Sequence, residues 1–481
     1  MKILIGQSYF RILDEKESKR NMPYPPLGSL YAAAVLKKAG HEVMLYDAML
    51  GKSVSEFIEI INDVRPDLLL IYDDEFNYLT KMCLSKMRDS AVSAVQSAKE
   101  FSVPVVVYSS DAADFPDQYL KAGCDCIICG EGEETLKEVA ESFEHGYFYS
   151  VREEINGLKF IKDGSIHKTG NRDLISDLDS LPDPDFSLID IESYRDIWLR
   201  YHGYFSMNIS TTRGCPYGCN WCAKPLYGRT YSSLSPVHAA ENIEYLKENF
   251  RPDHLWITDD IFGLRTNWIN EFSVELNKKN SVLPYKCLSR PDLLLKGNTL
   301  HALKDSGCKT IWIGAESGSQ KILDAMDKGT TVEQIYECAK SARSLGIEIA
   351  FFIQFGYLAE DWNDIKLTRK MITDNLPDDI GISVSYPLPG TKFHQKVKQQ
   401  MKRKTNWTDS DDLDMMFAGT YGNKFYKLLH RFVHLEYRIN KVIRKKMLSE
   451  LPRLIIYSVK YLMLRFRISP YLRKEKPYLS Q

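Results

Sequence analysis

Three cysteines in the middle of the chain have a spacing that suits a metal cluster. The segment Arg213-Gly214-Cys215-Pro216-Tyr217-Gly218-Cys219-Asn220-Trp221-Cys222 arranges them as Cys-x3-Cys-x2-Cys, just after an apolar run at 205–209. A [4Fe-4S] cluster is ordinarily held by four thiolates, so three thiolates would leave one iron open to a molecule that reacts. Glycine reaches backbone angles that other residues avoid, and the two glycines of this segment suit a loop folded tightly around a large inorganic group.

Two alternatives for these cysteines are a structural zinc site and simple burial. Zinc normally takes four ligands, and no fourth cysteine or close Cys/His pair accompanies the three. We therefore predict that Cys215, Cys219 and Cys222 hold a [4Fe-4S] cluster.

The cysteine spacing resembles the signature of the radical S-adenosylmethionine (SAM) superfamily. This resemblance implies that the open iron chelates the amino and carboxylate groups of SAM, and that the reduced cluster cleaves SAM to a 5′-deoxyadenosyl radical. The stretches Cys222-Ala223-Lys224-Pro225-Leu226-Tyr227-Gly228 and Trp256-Ile257-Thr258-Asp259-Asp260-Ile261-Phe262-Gly263 are similar to the branch with the anaerobic magnesium-protoporphyrin monomethyl ester cyclase and related cobalamin-dependent methylases. The likeness covers about residues 1–400.

Alternating strand-like and helical patterns predict the element that positions the cysteines. Apolar runs lie at 205–211, 254–258, 285–288, 310–315, 347–355 and 380–386, with helical patterns such as 236–249, 332–345 and 362–375 between them. Such a series predicts a partial (β/α)6 barrel over 201–400, whose chemistry lies on the loops at the carboxyl ends of the strands. The cluster loop follows the first of these strands.

The other strand ends are candidates for the SAM site. The resemblance implies that Asp259 and Asp260 hold the SAM amino group, and that Glu316 and Ser317 bind its ribose and methionine portion. Arg290 can pair with the SAM carboxylate through two parallel hydrogen bonds. The alternatives are helix capping for the aspartates and for Glu316 and Ser317, and a solvated surface group for the arginine.

Two later strand ends complete this predicted site. Gly356 and Glu360 occupy the fifth strand end, where relatives more often show Gly-x-Pro-Gly-Glu. Pro387 and Gly390 belong to a Pro-x-Pro-Gly-Thr turn that is common in cobalamin-linked members, and we expect it to pack against the adenine of SAM. Proline and glycine also mark turns with no ligand.

The first 145 residues carry a separate series of strands and helices. Strand-like runs at 2–6, 42–46, 67–72, 103–108 and 124–129 alternate with helical patterns. Short buried strands joined by helices predict a parallel sheet covered on both faces. We expect a doubly wound, Rossmann-like domain with its ligand at the carboxyl ends of the strands.

This domain resembles the cobalamin-binding domain of many radical SAM proteins. The resemblance rests on Pro25-Pro26-Leu27-Gly28-Ser29-Leu30, Gly40-His41-Glu42-Val43 and Gly130-Glu131-Gly132-Glu133. It implies a corrin gripped by Gly28, Ser109, Ser110, Gly130, Glu131, Gly132 and Glu133. No Asp-x-His-x-x-Gly occurs, so a bound cobalamin would lack a histidine ligand to cobalt. The alternative is a doubly wound domain that has lost its cofactor.

Three further cysteines, Cys124, Cys126 and Cys129, lie in the fifth of these strand-like runs. Successive side chains of a strand point to opposite faces, so Cys126 and Cys129 should diverge. Free cysteine is commonly buried as a small hydrophobe, and we predict core residues rather than a metal site.

A connector and a basic tail complete the chain. Residues 146–200 contain a hairpin with an Asp-Gly turn, followed by a proline-rich stretch. Residues 401–481 are a basic helical region: from Tyr421 onward there are 15 Lys or Arg and 3 Asp or Glu. We expect Pro452 and Pro470 to divide it into short helices that cap the barrel, contact an anionic membrane surface or form part of the substrate pocket.

Composition places the protein among folded, multidomain proteins. The net charge of −1 gives no indication of nucleic-acid binding. Ten cysteines without regular spacing fit a reducing compartment, and no uninterrupted apolar run reaches the length of about 18 residues that spans a bilayer. We predict a cytoplasmic protein with peripheral membrane contact through the tail alone.

Together these patterns predict a radical SAM enzyme that takes a hydrogen from an unactivated carbon. The expected reaction is cobalamin-dependent methyl transfer, or ring-forming or oxidative chemistry, on a lipid, tetrapyrrole or natural product. The expected partners are a small-molecule substrate and a flavodoxin- or ferredoxin-type reductant. No side chain is assigned a catalytic role. The alternative is a non-catalytic iron-sulfur protein that binds partners or transfers electrons.

Overall fold

Two mainly parallel sheets organise the computed structural model, which describes residues 1–222, 226–444 and 451–472. The strands of the first sheet are β1 (Lys2–Gly6), β2 (Glu42–Leu45), β3 (Leu68–Tyr72), β4 (Val105–Tyr108), β5 (Cys126–Ile128), β6 (Leu158–Lys162) and β7 (Ser165–Lys168). Their order is β2-β1-β3-β4-β5-β6-β7, and β1 to β5 are parallel. Every residue of β3, β4 and β5 is buried, as expected for strands covered on both faces.

Helices cover both faces of this sheet. They are α1 (Glu15–Arg20), α2 (Leu27–Lys38), α3 (Val54–Val64), α4 (Ser85–Glu100), α5 (Ser110–Asp114), α6 (Pro116–Ala122), α7 (Glu133–Glu144) and α8 (Phe148–Val151). The predicted doubly wound fold is confirmed. Cys124 and Cys126 are buried in its core, at 5% and 0% exposure, and Cys129 is partly exposed.

The connector hairpin joins the first sheet instead of standing apart. Strands β6 and β7 pair in antiparallel fashion, and β6 pairs with β5. Asp163 and Gly164 form the turn with φ of 49° and 74°, which is the positive-φ pair that a tight hairpin requires.

The second sheet is the predicted partial barrel. Its strands are β8 (Ser206–Ile209), β11 (His254–Ile257), β12 (Tyr285–Ser289), β13 (Cys308–Glu316), β14 (Glu348–Phe355) and β15 (Asp379–Val384), parallel and in that order. A short antiparallel pair, β9 (Thr212–Arg213) and β10 (Ser232–Ser233), flanks the cluster loop. The helices are α9 (Ile191–His202), α10 (Pro236–Phe250), α11 (Thr266–Lys278), α12 (Pro291–Leu294), α13 (Thr299–Asp305), α14 (Gln320–Ala325), α15 (Val332–Ser344), α16 (Trp362–Asn375) and α17 (Lys392–Val397).

The two sheets share a buried contact that fixes their relative position. The indole of Trp198 donates to the backbone oxygen of Pro23 at 2.7 Å, and the amide of Asn208 donates to that of Pro25 at 2.9 Å. Buried hydrophobic residues of both halves form one continuous cluster across this boundary. Loops from the carboxyl ends of both sheets therefore meet.

The C-terminal region forms two long helices, α18 (Asn423–Arg444) and α19 (Leu451–Leu472), of 22 residues each. The expectation that Pro452 and Pro470 divide it into short helices is wrong. Pro452 lies in the first turn of α19, where its missing N–H is not needed. Pro470 lies inside α19 and lacks the N–H that would donate to the backbone oxygen of Phe466, but the hydroxyl of Ser469 donates to that oxygen at 2.9 Å. Of the described helices, none is both long and apolar enough to cross a bilayer.

Candidate active site

The loop that carries the three predicted cluster cysteines is held at the carboxyl end of the barrel by Asn220. Its Nδ2 donates to the backbone oxygen of Ala325 at 2.8 Å, and its Oδ1 accepts from the hydroxyl of Tyr357 at 2.6 Å. Its backbone N–H donates to Met326 at 3.0 Å, and its backbone oxygen accepts from Phe393 N at 2.9 Å. The side chain and backbone of this one buried residue thus tie the loop to segments that follow β13, β14 and β15.

Sequence reasoning missed Asn220. It lies between two of the predicted cluster ligands, but Ala325 and Tyr357 are 105 and 137 residues further along the chain. The sequence did offer one indication. Asparagine can both donate and accept hydrogen bonds, so its position inside the cysteine motif suits a residue that anchors the loop.

Arg290, directly after β12, contacts the same loop. Its Nη1 lies 3.5 Å from Sγ of Cys219, and its guanidinium carbon lies 3.7 Å from the ring centroid of Tyr217. It also donates to Asp292 at 2.9 Å and to the backbone oxygen of Lys328 at 2.7 Å. Arg290 is buried, which disagrees with the surface alternative, and its pairing with SAM stays a prediction.

Glu316 ends β13 with an unusual backbone conformation. Its φ is 58°, a region that costs a non-glycine residue about 1–3 kcal/mol and that clusters at functional sites. Its Oε1 accepts from Nζ of Lys328 at 3.0 Å, with both side chains 6% exposed. Burial lowers the pKa of Lys328, but Glu316 and then Cys219 outweigh this effect and raise it. The neighbouring Ser317 instead turns towards α16, with its Oγ 3.1 Å from Oγ1 of Thr368.

Asp259 and Asp260 stabilise loops of the protein itself. Asp259 accepts from the backbone N–H of Thr211 at 2.7 Å, from its hydroxyl at 2.6 Å and from Thr212 N at 3.1 Å. Burial raises the pKa of Asp259 to about 6. Asp260 pairs with Lys81 of the first domain at 2.7 Å. Neither caps α11, which begins further on, and their contact with the SAM amino group stays a prediction.

The fifth and sixth strand ends contain the remaining predicted SAM residues. Oε2 of Glu360 accepts from the backbone N–H of Gly356 at 2.5 Å. Its Oε1 has no hydrogen-bond partner among the described residues, and burial raises the pKa of Glu360 to about 8. Pro387 and Gly390 follow β15, and a Cβ at Gly390 would meet nothing within 4 Å. The adenine contact stays a prediction.

Gln354 and Ser385 are further strand-end residues that the sequence analysis did not assign. Nε2 of Gln354 donates to Oγ of Ser385 at 3.0 Å, while its buried Oε1 has no partner within the described part of the chain. Leaving a buried acceptor unpaired costs about 1–3 kcal/mol, so this oxygen is suited to a ligand. Gln354 lies two residues before Gly356, and Ser385 lies two residues before Pro387. This closeness to predicted SAM residues could have identified them from the sequence.

The carboxyl end of the first sheet contains a buried charge cluster around Arg213. Its Nη1 lies 2.5 Å from Oε1 of Glu131, and its Nη2 lies 2.6 Å from Oε1 of Glu133. The hydroxyl of Tyr227 donates to Oε1 of Glu75 at 2.9 Å. Burial, followed by the charge of Glu133, raises the pKa of Glu75 to about 8. Arg213 directly precedes the cysteine motif, so this cluster joins the cluster loop to the first domain.

Two glycines bring the backbone close to this cluster. A Cβ at Gly132 would lie 2.6 Å from the hydroxyl of Tyr72 and 2.8 Å from the ring of Tyr108, and one at Gly28 would contact Oε2 of Glu75. The hydroxyls of both tyrosines and Oε2 of Glu75 have no hydrogen-bond partner among the described residues. Buried polar atoms of this kind are usually satisfied by a ligand or water.

The other predicted cobalamin residues lie at the same sheet edge. Gly130 follows β5 with φ of 83° and open space beside it. Ser109 accepts from Ala112 N at 2.9 Å and caps α5, and Ser110 is the buried first residue of that helix. Ser109 is therefore occupied by a structural hydrogen bond.

The three predicted cluster cysteines share one loop. Among the described residues, no group of three or more Cys, His, Asp or Glu side chains has the geometry of a metal site. Ala223, Lys224 and Pro225, which belong to the resemblance stated above, lie outside the described residues.

Two segments of the chain match known domain families. Residues 209–372 match the radical SAM superfamily, and residues 18–140 match the B12 binding domain. A protein of Pyrococcus horikoshii named as an uncharacterized methyltransferase is 24% identical, over 88% of this chain and 87% of that protein. The anaerobic magnesium-protoporphyrin IX monomethyl ester cyclase of Rubrivivax gelatinosus is 25% identical, over 79% of this chain and 67% of the cyclase.

A solved structure has the same fold along nearly the whole chain. The cobalamin-dependent SAM radical enzyme OxsB, with aqua-cobalamin and SAM bound, superimposes with a TM-score of 0.72 at 18% identity. The match covers 98% of this chain and 75% of OxsB.

The chain contains a radical SAM domain and, N-terminal to it, a B12-binding domain. It is an enzyme, and its cofactors are a [4Fe-4S] cluster, SAM and cobalamin. The predictions of family, enzyme and cofactors are confirmed. The alternatives of a domain without its cofactor and of a non-catalytic protein are not supported.

The residues present fit these cofactors. Cobalamin carries amide groups around its corrin ring, which can pair with the orphaned tyrosine hydroxyls and carboxylate oxygen beside Gly132. Three cysteines on an anchored loop, with Arg290 and Lys328 near Cys219, provide a donor set suited to iron and sulfide. The unpaired oxygens of Gln354 and Glu360 at the barrel strand ends are suited to the polar groups of SAM or substrate.

Proposed function

We propose that the protein uses Cys215, Cys219 and Cys222 to hold a [4Fe-4S] cluster with one open iron, and that it methylates an unactivated carbon of a small molecule. When bound, the cofactors supply reductive cleavage of SAM, a hydrogen-abstracting radical and a corrin-carried methyl group. The substrate classes that fit are a lipid, a tetrapyrrole or another natural product. Ring-forming or oxidative chemistry on the same substrate classes is the second candidate, since the cyclase is among the relatives.

The contact of Arg213 with Glu131 and Glu133 is the observation that carries this proposal. Arg213 begins the cysteine motif, and the two glutamates follow the last parallel strand of the B12-binding domain. Methyl transfer from a corrin to a radical requires that the two cofactors face one substrate. A buried ion pair that joins the two loops supports this arrangement. Removing one partner of such a pair is strongly destabilising, so the pair holds the two loops together.

The side chains at the strand ends have positioning roles in this proposal. Arg290 and Lys328 place positive charge near Cys219, and Asn220 and Asp259 fix the ends of the loop. Glu75, within the B12-binding domain, accepts from the hydroxyl of Tyr227, which follows the cysteine motif. The residues proposed for SAM are Asp259, Asp260, Arg290, Glu316, Ser317, Gly356, Glu360, Pro387 and Gly390. Those proposed for cobalamin are Gly28, Ser109, Ser110, Gly130, Glu131, Gly132 and Glu133.

The proposed protein works with a separate reductant in a reducing compartment. Its reductant is a flavodoxin- or ferredoxin-type protein, and its compartment is the reducing cytoplasm, because an open cluster is sensitive to oxygen. The basic C-terminal region contacts a membrane surface. The domains are proposed as 1–145, 146–200, 201–400 and 401–481.

The test is product formation by anaerobically reconstituted, cobalamin-loaded protein. Dithionite or reduced flavodoxin is added with SAM that carries a deuterated methyl group, and 5′-deoxyadenosine and methionine are measured. We expect wild-type protein to form 5′-deoxyadenosine, and Cys219→Ala to lower its rate by about 100-fold or more. The matched control is Cys338→Ala, which alters a buried cysteine on the outer helix α15.

Two results would oppose the proposal. One is 5′-deoxyadenosine formation by Cys219→Ala at the rate of Cys338→Ala. The other is a complete wild-type cluster that yields no more 5′-deoxyadenosine than the Cys219→Ala protein. Transfer of deuterium label to the corrin distinguishes methyl transfer from the cyclising or oxidative alternative.

A further inference from the structure

Helix α19 has one apolar face packed against the protein. Leu464 and Ile468 are 9% and 2% exposed. The ring of Tyr461 stacks on Phe432 of α18 with centroids 4.6 Å apart, and Tyr471 contacts Phe425. This face accounts for the docking of α19 on α18.

A second apolar face of α19 points away from the protein. Its members are each more than half exposed: Ile455 70%, Ile456 54%, Val459 53%, Leu462 60%, Met463 56% and Phe466 80%. At about 100° per residue, these six side chains fall within an arc of about 120°, and Leu464 and Ile468 fall on the other side of the helix. Contiguous exposed apolar surface of this kind marks an interaction site.

Basic residues border this exposed face. Lys460 and Arg467 follow one edge and Arg465 the other, and 451–472 contains no acidic residue. The adjacent α18 carries six Lys or Arg and one acidic residue, Glu436. Arg369 binds both carboxylate oxygens of Glu436, at 2.6 and 2.8 Å. The surface around the apolar face is therefore strongly cationic.

We propose that α19 lies in the plane of an anionic lipid bilayer, with its exposed apolar face among the acyl chains and its lysine and arginines at the headgroup phosphates. Helices of this composition bind the interface without crossing it, in agreement with the hydropathy of the described helices. Self-association through this face would oppose two cationic helices, which disfavours a second copy. This specifies the membrane contact of the proposed function, and it does not depend on the chemistry proposed for the cysteines.

The test is co-sedimentation of the full-length protein with vesicles. We expect pelleting with vesicles of phosphatidylcholine containing about 30% phosphatidylglycerol, weaker pelleting at high salt, and little with phosphatidylcholine alone. Leu462→Ser with Phe466→Ser should lower the partition coefficient at least about tenfold, because two large side chains no longer enter the bilayer. The matched control is Val274→Ser with Leu367→Ser, which changes exposed apolar residues on α11 and α16.

A second variant tests the charges. Lys460→Glu with Arg467→Glu should weaken binding to anionic vesicles while circular dichroism shows an unchanged fold. Equal pelleting of the Leu462/Phe466 variant and its control would overturn the proposal. So would a lack of vesicle binding combined with a dimer that the Leu462/Phe466 variant dissociates. Formation of 5′-deoxyadenosine by each variant is measured separately, so that failure of the membrane contact is distinguished from failure of the chemistry.

Discussion

At the scale of single residues, buried polar side chains hold the loop that carries the three predicted cluster cysteines. Asn220 uses its whole amide and backbone to bind the cluster loop to the ends of three barrel strands. Arg290 and Lys328 place positive charge beside Cys219. Such support matters because a metal site requires ligands held in position by their surroundings.

Replacing Asn220 with alanine tests this support. The variant removes the amide's hydrogen bonds to Ala325, Asp327 and Tyr357, while the Tyr357 hydroxyl keeps the backbone oxygen of Ala325 as an acceptor at 3.0 Å. The free energy of unfolding should therefore fall by about 1–3 kcal/mol. We also expect faster loss of iron on exposure to air. Urea unfolding and iron content measure the two effects. Asn249→Ala serves as control, since the amide of Asn249 donates to the backbone oxygen of Tyr245 within an exposed turn of α10. Identical iron loss in the two variants would refute the anchoring role.

The buried carboxyl of Glu360 predicts a pH dependence of stability. Its pKa is about 8 in the folded protein, above its ordinary value, because burial disfavours the charged form. Its contribution to stability is complete below about pH 4.5 and is lost as the pH rises through 8, because the unfolded chain then binds fewer protons than the folded one. Glu360→Gln should reduce this decline by up to about 1.4 kcal/mol per pH unit between pH 5 and 8. Denaturant unfolding across this range measures it, and an unchanged slope would contradict the assignment.

The cysteine motif could be recognised from the sequence, whereas the residues that hold its loop in place could not. The cysteine motif is local, so its spacing alone carries the prediction. The partners of Asn220 and Arg213 lie 80 or more residues away in the chain, and only the fold brings them together. The contacts of Asp259 with Thr211 and Thr212, 48 and 47 residues earlier, likewise have no local pattern.

At the scale of elements, both sheets place their loops at the carboxyl ends of parallel strands. Hydrophobic runs predicted β3, β4 and β5 most directly, because every residue of these strands is buried. The two C-terminal helices were misjudged for a physical reason: the effect of a proline depends on its place in the helix. Pro452 lies in the first turn of α19, where no donor is needed, and at Pro470 the hydroxyl of Ser469 supplies a donor to the backbone oxygen of Phe466.

The glycine loop after β5 provides a test at this scale. In Gly132→Ala, the added methyl group would meet the hydroxyl of Tyr72 and the ring of Tyr108 at 2.6 and 2.8 Å. Both rings are fully buried and stacked on one another, so they cannot move aside without cost. We expect cobalamin retention after desalting to fall about tenfold, by analogy with the 1–3 kcal/mol cost of overpacking. Corrin absorbance measures it.

The control for this substitution is Gly422→Ala, where a methyl group would meet nothing within 4 Å. It should retain cobalamin as wild-type protein does. Equal retention by Gly132→Ala and Gly422→Ala would show that the loop has no part in cobalamin binding.

At the scale of the whole molecule, the two halves act as one unit. Buried contacts from Trp198 and Asn208 join the sheets at their boundary, and Arg213 and Lys81 join the loops that carry the proposed sites. The fold class and cofactors could be predicted from motifs and periodicity. The joint between the halves could not, since it depends on pairs that have no local pattern.

The account depends most on a cluster whose fourth iron is open to SAM. The direct measurement is the Mössbauer spectrum of anaerobic protein reconstituted with ⁵⁷Fe, recorded with and without SAM. We predict that SAM changes the signal of about a quarter of the cluster iron, because only one of four irons lacks a cysteine ligand. A complete cluster whose irons give the same spectrum with and without saturating SAM would contradict the central claim.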